Sequence, residues 1–294
     1  MTFAVGVIGA GNMGLAMALR LRDHGHAVTV RDIDPAREAR ARAEGLALAP
    51  SPAALAQRSE VLIVAVVDAA QTDTVLFGLD GAAQALRAGA AVLLCPTLGP
   101  GDTERFAARL AQQGLHGIDA PMSGGPARAR DGSMSLMVAC PDAVFEPWEP
   151  LIASLSSQVF RVGERAGDGA RTKLVNNLLA AINLAGAAEA LALAERVGLD
   201  PKRTLAVIER SSGQSWIGSD RMHRALDSDL APRAHTTLLR KDTGLALDMA
   251  AQAGIELPVG SKAAALFAQA CEAGFAAFDD ASLLELLRRR GDRL

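Results

Sequence analysis

Tyrosine is absent from this chain of 294 residues, and aromatic side chains make up only 3% of it. The first absence excludes any reductase site built on a Tyr-Lys pair. The second, with a net charge of -3 spread over interleaved acids and bases, leaves neither a base-stacking platform nor a basic groove, so nucleic acid is excluded as a partner. Cysteine is scarce as well. Cys95, Cys140 and Cys271 lie far apart with no CxxC pair, which excludes a zinc or disulfide framework and suits small buried thiols in a reduced, cytoplasmic chain. The five histidines make no ligand spacing with them, so no metal site is expected. None is assigned to catalysis, and His24 and His26 read as solvated residues of a helix-to-strand turn. The start of the chain lacks the basic segment and cleavage site of a secretory signal. One stretch, Leu174 to Ala194, is apolar over a membrane-spanning length, but Asn176, Asn177, Asn183 and Glu189 interrupt it. A buried helix between domains or subunits is the expectation, and no membrane partner.

Glycine, by contrast, is abundant and placed. An apolar run ends in Gly9-Ala10-Gly11-Asn12-Met13-Gly14; a helical pattern follows, then a second apolar run closing on Asp32. This is the order strand, turn, helix, strand of a dinucleotide fingerprint. Gly9 permits the tight turn, Gly11 lets backbone N–H groups approach a pyrophosphate, and Gly14 lets the helix lie close to the strand. Asp32 lies eighteen residues beyond Gly14, where a carboxylate accepts from the adenosine ribose hydroxyls and repels a 2'-phosphate. NAD is expected in preference to NADP.

Buried strands and helices keep alternating through Gln158 to Val162. Alternation of this kind predicts an α/β fold with a doubly wound parallel sheet and helices on both faces. From Gly167 onward the pattern is helical only, broken by Gly198, Asp200-Pro201, Gly213, Gly254 and Pro258. Two domains are therefore expected: a dinucleotide-binding domain over 1-163 and an all-α substrate and oligomerisation domain over 164-294. The second opens with a long helix, about Gly169 to Val197, whose apolar surface predicts a homodimer or homotetramer. The cleft between the domains is the expected active site.

A hydride transfer needs a proton acceptor, and Lys173 is the candidate. Lys173 and Asn177 stand four apart on one face of that helix. A lysine beside the nicotinamide charge has its charged form disfavoured, which suits acid-base work, while Asn177 offers a neutral amide to a hydroxyl. A solvated lysine at a helix start is the bland alternative. Asp119-Ala120-Pro121-Met122-Ser123-Gly124-Gly125-Pro126 ends a strand at the ligand-binding edge of the sheet. Ser123 brings a hydroxyl, and Gly124 and Gly125 expose backbone N–H groups suited to a carboxylate; a flexible loop is the alternative.

Four stretches in this order, Val7 to Ala18, Asp119 to Gly125, Lys173 to Asn177 and Lys241-Asp242, resemble the β-hydroxyacid dehydrogenase family over nearly the whole chain. The resemblance implies NAD-linked oxidation of a small hydroxy acid. It implies that Lys173 is the catalytic acid-base and that Ser123, Gly124, Gly125 and Asn177 bind substrate. It further implies that Gly9, Ala10, Gly11, Asn12, Met13, Gly14, Asp32, Val67, Thr97 and Lys241 hold the cofactor, with Asp242 supporting the substrate site. Val67 to Thr72 and Gly213 to Trp216 are most similar to members that oxidise a C4 sugar acid at its 2-hydroxyl. Oxidation of 3-hydroxyisobutyrate and reduction of tartronate semialdehyde remain alternatives within the family, and a non-catalytic NAD-binding module remains one outside it. The chain departs from the family at Cys95-Pro96-Thr97 and at Pro126, and Arg128 and Arg130 stand close to the latter, placed either to touch a substrate acid group or simply to be solvated.

Overall fold

The structure is a computed structural model that describes residues 1–291. It divides into two compact units, Met1–Lys173 and Leu174 onward. The first unit holds nine strands: β1 Ala4–Ile8, β2 Ala27–Arg31, β3 Ala47–Leu48, β4 Val61–Val64, β5 Ala91–Leu94, β6 His116–Asp119, β7 Met122–Ser123, β8 Ser135–Ala139 and β9 Gln158–Gly163. Its helices are α1 Asn12–Asp23, α2 Pro35–Ala43, α3 Pro52–Ala56, α4 Ala69–Phe77, α5 Pro100–Gln112, α6 Gly125–Asp131, α7 Asp142–Phe145 and α8 Glu149–Leu155.

The strands form one sheet in the order β3-β2-β1-β4-β5-β6-β8-β7, with β9 on the other side of β8. From β3 to β6 every neighbour is parallel. The expected doubly wound parallel sheet is present, and beyond its parallel run β8 runs antiparallel to β6 and β7. Only eleven residues separate Ser123 from Ser135, too few for the crossover that a parallel return requires.

Helices cover both faces, and the period-two alternation of the strands decides which. In β4, Val61 and Ile63 join a core with Leu15, Met17 and Leu21 of α1 and Leu151 and Ile152 of α8. Leu62 and Val64 face the opposite way, onto Leu55 of α3, Leu76 of α4 and Phe106 and Leu110 of α5. A strand buried on both sides reads as a continuous apolar run, which is how β4 and β5 look in the sequence.

The second unit is helical among the described residues: α9 Asp168–Arg196, which begins in the first unit, α10 Pro201–Ile208, α11 Trp216–Leu226, α12 Thr236–Gln252, α13 Pro258–Ala270 and α14 Leu283–Gly291. Its core gathers Ala181, Leu184, Ala188 and Leu191 of α9 with Leu205, Met222, Leu239, Phe267 and Leu284. By length and composition α9 would suffice to cross a membrane, yet these four side chains are fully buried in the helical core.

One expected surface residue is internal. His24 is exposed as expected, but His26 is 6% exposed. Its Nδ1 accepts the Phe3 N–H at 3.2 Å, its Nε2 lies 3.2 Å from the Ser154 hydroxyl, and its ring stacks on Phe3. Both partners come from distant sequence, so the turn composition alone misplaces it. Burial, aided by the charge of His24 and the N-terminus, holds the His26 pKa below its ordinary value. A histidine neutral in the fold takes up its proton more readily once unfolded, so its contribution to stability is lost as pH falls through about 6.5. Between pH 7.5 and pH 5.5 the urea-unfolding free energy of the native chain should fall relative to that of His26→Gln, which keeps an acceptor but cannot titrate. An identical pH profile in the variant would mean that His26 is not the group responsible.

Candidate active site

Parallel pairing brings the loops after β1, β4, β5 and β6 to one edge of the sheet. Ile8 is in register with Val64, Val64 with Leu94, and Leu94 with Asp119. The turn at Gly9, Val67, Thr97 and the Ser123-Gly124-Gly125 segment therefore follow strands that end level with one another. β1 has β2 on one side and β4 on the other, which makes this edge the point where strand order reverses and where such sheets bind ligands.

The three glycines divide the work of the turn. Gly9 has φ +98, and a Cβ there would lie 2.5 Å from the Ala65 carbonyl oxygen. At Gly14 a Cβ would lie 1.8 Å from the Gly9 oxygen, so only glycine lets α1 approach β1 this closely. Gly11 is different: a Cβ there would meet nothing nearer than Arg37 Nη1 at 3.6 Å. That space opens beside the first turn of α1, which has no side-chain cap and no acidic residue. Amides at such a helix start suit a pyrophosphate. Asn12 is exposed there and Met13 half-buried, while the Ala10 N–H donates to Asp32 Oδ2 at 2.6 Å. Asp32 Oδ1 accepts the Asp34 N–H at 2.9 Å. The carboxylate expected to select the ribose is thus fixed against the glycine turn by backbone at both oxygens, and these residues fit a dinucleotide.

Asp119 escaped the sequence reading as a site residue. It is 1% exposed, and its Oδ2 accepts the N–H of Gly167 at 2.9 Å and of Ala170 at 3.1 Å. One carboxylate therefore joins the end of β6, four residues before Ser123, to the first turn of α9, three residues before Lys173. The available signal was an acid closing the apolar strand Gly117-Ile118-Asp119. Burial pushes its carboxyl up to about 6, against the opposing pull of the Ala170, Gly167 and Gly169 N–H groups. Gly169 has no room for a side chain, since a Cβ would stand 2.7 Å from the Met137 carbonyl and 2.8 Å from the Asp119 carboxylate.

Lys173 itself is 6% exposed and Asn177, one turn further along α9, 9%. In the second unit, Asn177 Nδ2 donates to Asp242 Oδ2 at 2.6 Å, and Asn177 Oδ1 accepts from Asn176 at 3.1 Å. A carboxylate accepts only, so it fixes which end of the Asn177 amide faces it. Lys241 Nζ lies 2.7 Å from Asp242 Oδ1, an ion pair by distance without the alignment of a hydrogen bond. Asn177, Lys241 and Asp242 thus form one group.

Around Ser123, Gly124 and Gly125 have φ +130 and +76, a left-handed pair that side chains would strain. Pro126 starts α6, where a missing N–H costs nothing. The two nearby arginines have structural partners: Arg128 donates to the carbonyl and hydroxyl of Ser133, and Arg130 pairs with Asp23. Val67 is 45% exposed, with its N–H on Gln71 Oε1, and Thr97 is half-buried. Among the described residues no cluster suited to a metal ion occurs.

Residues 4–163 match the model of the NAD binding domain of 6-phosphogluconate dehydrogenase, and residues 167–287 that of the NAD-binding domain of NADP-dependent 3-hydroxyisobutyrate dehydrogenase. L-threonate dehydrogenase of Cupriavidus necator is 38% identical over 286 residues, 97% of this chain and 96% of that protein. The chain belongs to the β-hydroxyacid dehydrogenase family. It is an NAD-linked dehydrogenase acting on the CH–OH group of a small hydroxy acid. L-threonate dehydrogenase of Escherichia coli is 34% identical to this dehydrogenase, covering 97% of it and 94% of the relative. A solved 3-hydroxyisobutyrate dehydrogenase from Salmonella typhimurium superposes with a TM-score of 0.90 at 34% identity, covering 96% of this chain and 99% of that one.

The raised pKa of Asp119 gives this dehydrogenase a measurable signature. A carboxyl whose folded pKa lies above the ordinary 3.8 contributes most to stability below that value, and loses the contribution as pH rises to about 6. The stability difference between the native chain and Asp119→Asn should therefore change by roughly 2 kcal/mol between about pH 4 and about pH 7, to the native chain's disadvantage at the higher pH. Urea unfolding across that range measures it; a pH-independent difference would contradict the burial argument.

Proposed function

We propose that this dehydrogenase oxidises a C4 sugar acid such as L-threonate at its 2-hydroxyl, with NAD as acceptor and Lys173 as the acid-base. The observation that carries the reading is the burial of Lys173 one helical turn before Asn177, which is buried as well. When bound, NAD supplies the acceptor for the hydride that leaves the hydroxyl-bearing carbon. Neutral Lys173 Nζ takes the hydroxyl proton as that bond forms a carbonyl, and returns it in the reverse direction. Asn177, whose amide is turned by Asp242, uses its remaining Nδ2 hydrogen and Oδ1 lone pair to orient the hydroxyl. The Ser123 hydroxyl and the Gly124 and Gly125 N–H groups hold the substrate carboxylate.

Gly9 to Gly14, Asp32, Val67, Thr97 and Lys241 serve the cofactor, and Asp242 holds both Lys241 and Asn177 in place. The functional domains divide at 163/164, in a cytoplasmic protein. Support for the C4 substrate comes from the L-threonate dehydrogenase relatives and from the Val67 to Thr72 and Gly213 to Trp216 segments. On α9, Val175, Leu179 and Leu193 are each more than half exposed and fall on one stripe of the helix, which supports a homodimer or homotetramer.

NADH absorbance on mixing with NAD and a panel of hydroxy acids should give the highest kcat/KM with L-threonate. Higher values for 3-hydroxyisobutyrate, or for tartronate semialdehyde with NADH, would transfer the assignment to those substrates. Lys173→Ala should lower kcat about a hundredfold or more while leaving NAD affinity little changed; near-native turnover would remove the lysine from proton transfer. Sedimentation at micromolar concentration should return two or four times the 30.5 kDa chain mass, and a monomer would refute the role given to the stripe.

A further inference from the structure

Two arginines flank the ribose-selecting carboxylate, and either would be a natural partner for the 2'-phosphate of NADP, since a guanidinium meets phosphate with a planar, paired set of donors. Arg31 immediately precedes Asp32 at the end of β2. Its Nη1 donates to Glu38 Oε1 at 2.6 Å and also to the carbonyl of Asp32. The same Glu38 oxygen lies 3.3 Å from the backbone nitrogen of Asp32, whose N–H it accepts. Arg37 lies on the open side of the turn, half-exposed, with Nη1 3.7 Å from Asp32 Oδ2 and Nε 3.5 Å from Asp34 Oδ2.

The local sequence builds this arrangement. Asp34 caps α2 by accepting the Ala36 N–H at 2.9 Å, and Pro35 opens the helix. The cap sets the start of the helix and hence the direction of its first turn, from which Glu38 reaches back to the strand end; a carboxylate is also favoured there by the helix dipole. Within a few ångströms of Asp32 there are thus two cationic side chains, Arg31 and Arg37, and three anionic ones, Asp32, Asp34 and Glu38. The balance at the ribose end is one negative charge, and the arginine nearest the strand end is engaged by a carboxylate.

We propose that Glu38 is a specificity-determining positioning residue for the cofactor: by pairing with Arg31 it holds that arginine away from an incoming 2'-phosphate, so that rejection of NADP depends on Glu38 as well as on Asp32. This deepens the reading of Asp32 as the NAD-selecting residue and rests on it. Asp32 is locked by backbone at both oxygens and acts on the ribose directly. Glu38 acts through Arg31, so its effect should disappear when Arg31 is gone. That dependence separates it from a general loss of negative charge, which would favour NADP with or without Arg31.

The test is equilibrium binding of NADP and NAD by titration calorimetry, with 2'-AMP and 5'-AMP as probes that carry no nicotinamide, so that the readout is independent of turnover and of Lys173. Glu38 is a partly exposed helix residue and Glu38→Ala keeps helix propensity; Glu38→Gln retains a neutral acceptor for Arg31. Glu38→Ala should raise the NADP-to-NAD affinity ratio about tenfold, Glu38→Gln should give a smaller rise, and in an Arg31→Ala background neither change should move the ratio more than twofold. A ratio unchanged by Glu38→Ala, or raised equally with and without Arg31, would overturn the proposal while leaving the Asp32 reading intact. Equal NADP and NAD affinity in the unaltered protein would overturn both.

Discussion

One buried carboxylate governs how Lys173, the proposed acid-base, is held. Asp119 stands at the last position of β6, in the interior, and has no cation to balance it among its hydrogen-bond partners; the backbone N–H groups of Gly167 and Ala170 solvate it instead. Burying a charge is costly unless such donors surround it, and the first turn of a helix is the one place where a chain has backbone donors to spare. The same contact that stabilises the carboxylate fixes where α9 begins. Because a helix is stiff, fixing its first turn also fixes the height and facing of Lys173 within the first unit. Gly169 is required at the centre of the contact, where a methyl group would meet both the acid and the Met137 carbonyl.

Two further acids, one in each unit, follow the same rule with different atoms. Asp32 is bound at both oxygens by backbone N–H groups, and Asp242 fixes the Asn177 amide in a group of its own in the second unit. In each case an acid with little exposure locks the geometry of something polar beside it. The rigidity comes from acceptor-only groups meeting donors that have no better partner, so the alternative arrangements each leave a buried polar atom unsatisfied. The flanking basic residues are engaged in turn, Arg31 by Glu38 and Lys241 by Asp242. Within each unit, charge beside these acids is thus distributed by short local pairs, consistent with the near-neutral composition of the chain.

Several features were plain from residue order alone. The glycine turn, the acid eighteen residues on, the buried runs of β4 and β5 and the long helix carrying Lys173 and Asn177 depend on short-range periodicity and on the freedom of glycine, both of which are written locally. His26 was misjudged because the neighbours that bury it, Phe3 and Ser154, lie 23 and 128 residues away. The reversal at β8 was missed because it depends on how few residues remain after α6, a short helix that the glycine pair disguised as a loop. Arg128 and Arg130, which stood near enough to suggest a substrate contact, turned out to anchor α6 to Ser133 and Asp23.

By itself the sequence determined the longer strands and helices, that the first part winds around a dinucleotide turn and that the second is helical, since these follow from spacing within a few residues. Tertiary structure alone decided that Asp119 reaches a helix start 48 residues further along the chain, that Asp242 turns the Asn177 amide from 65 residues away, and that Arg31 is engaged by Glu38 rather than left open to phosphate. The physical reason is common to all three. A hydrogen bond is set by where two groups meet in space, and for a buried acid the identity of its partner, not its own residue type, decides what it does.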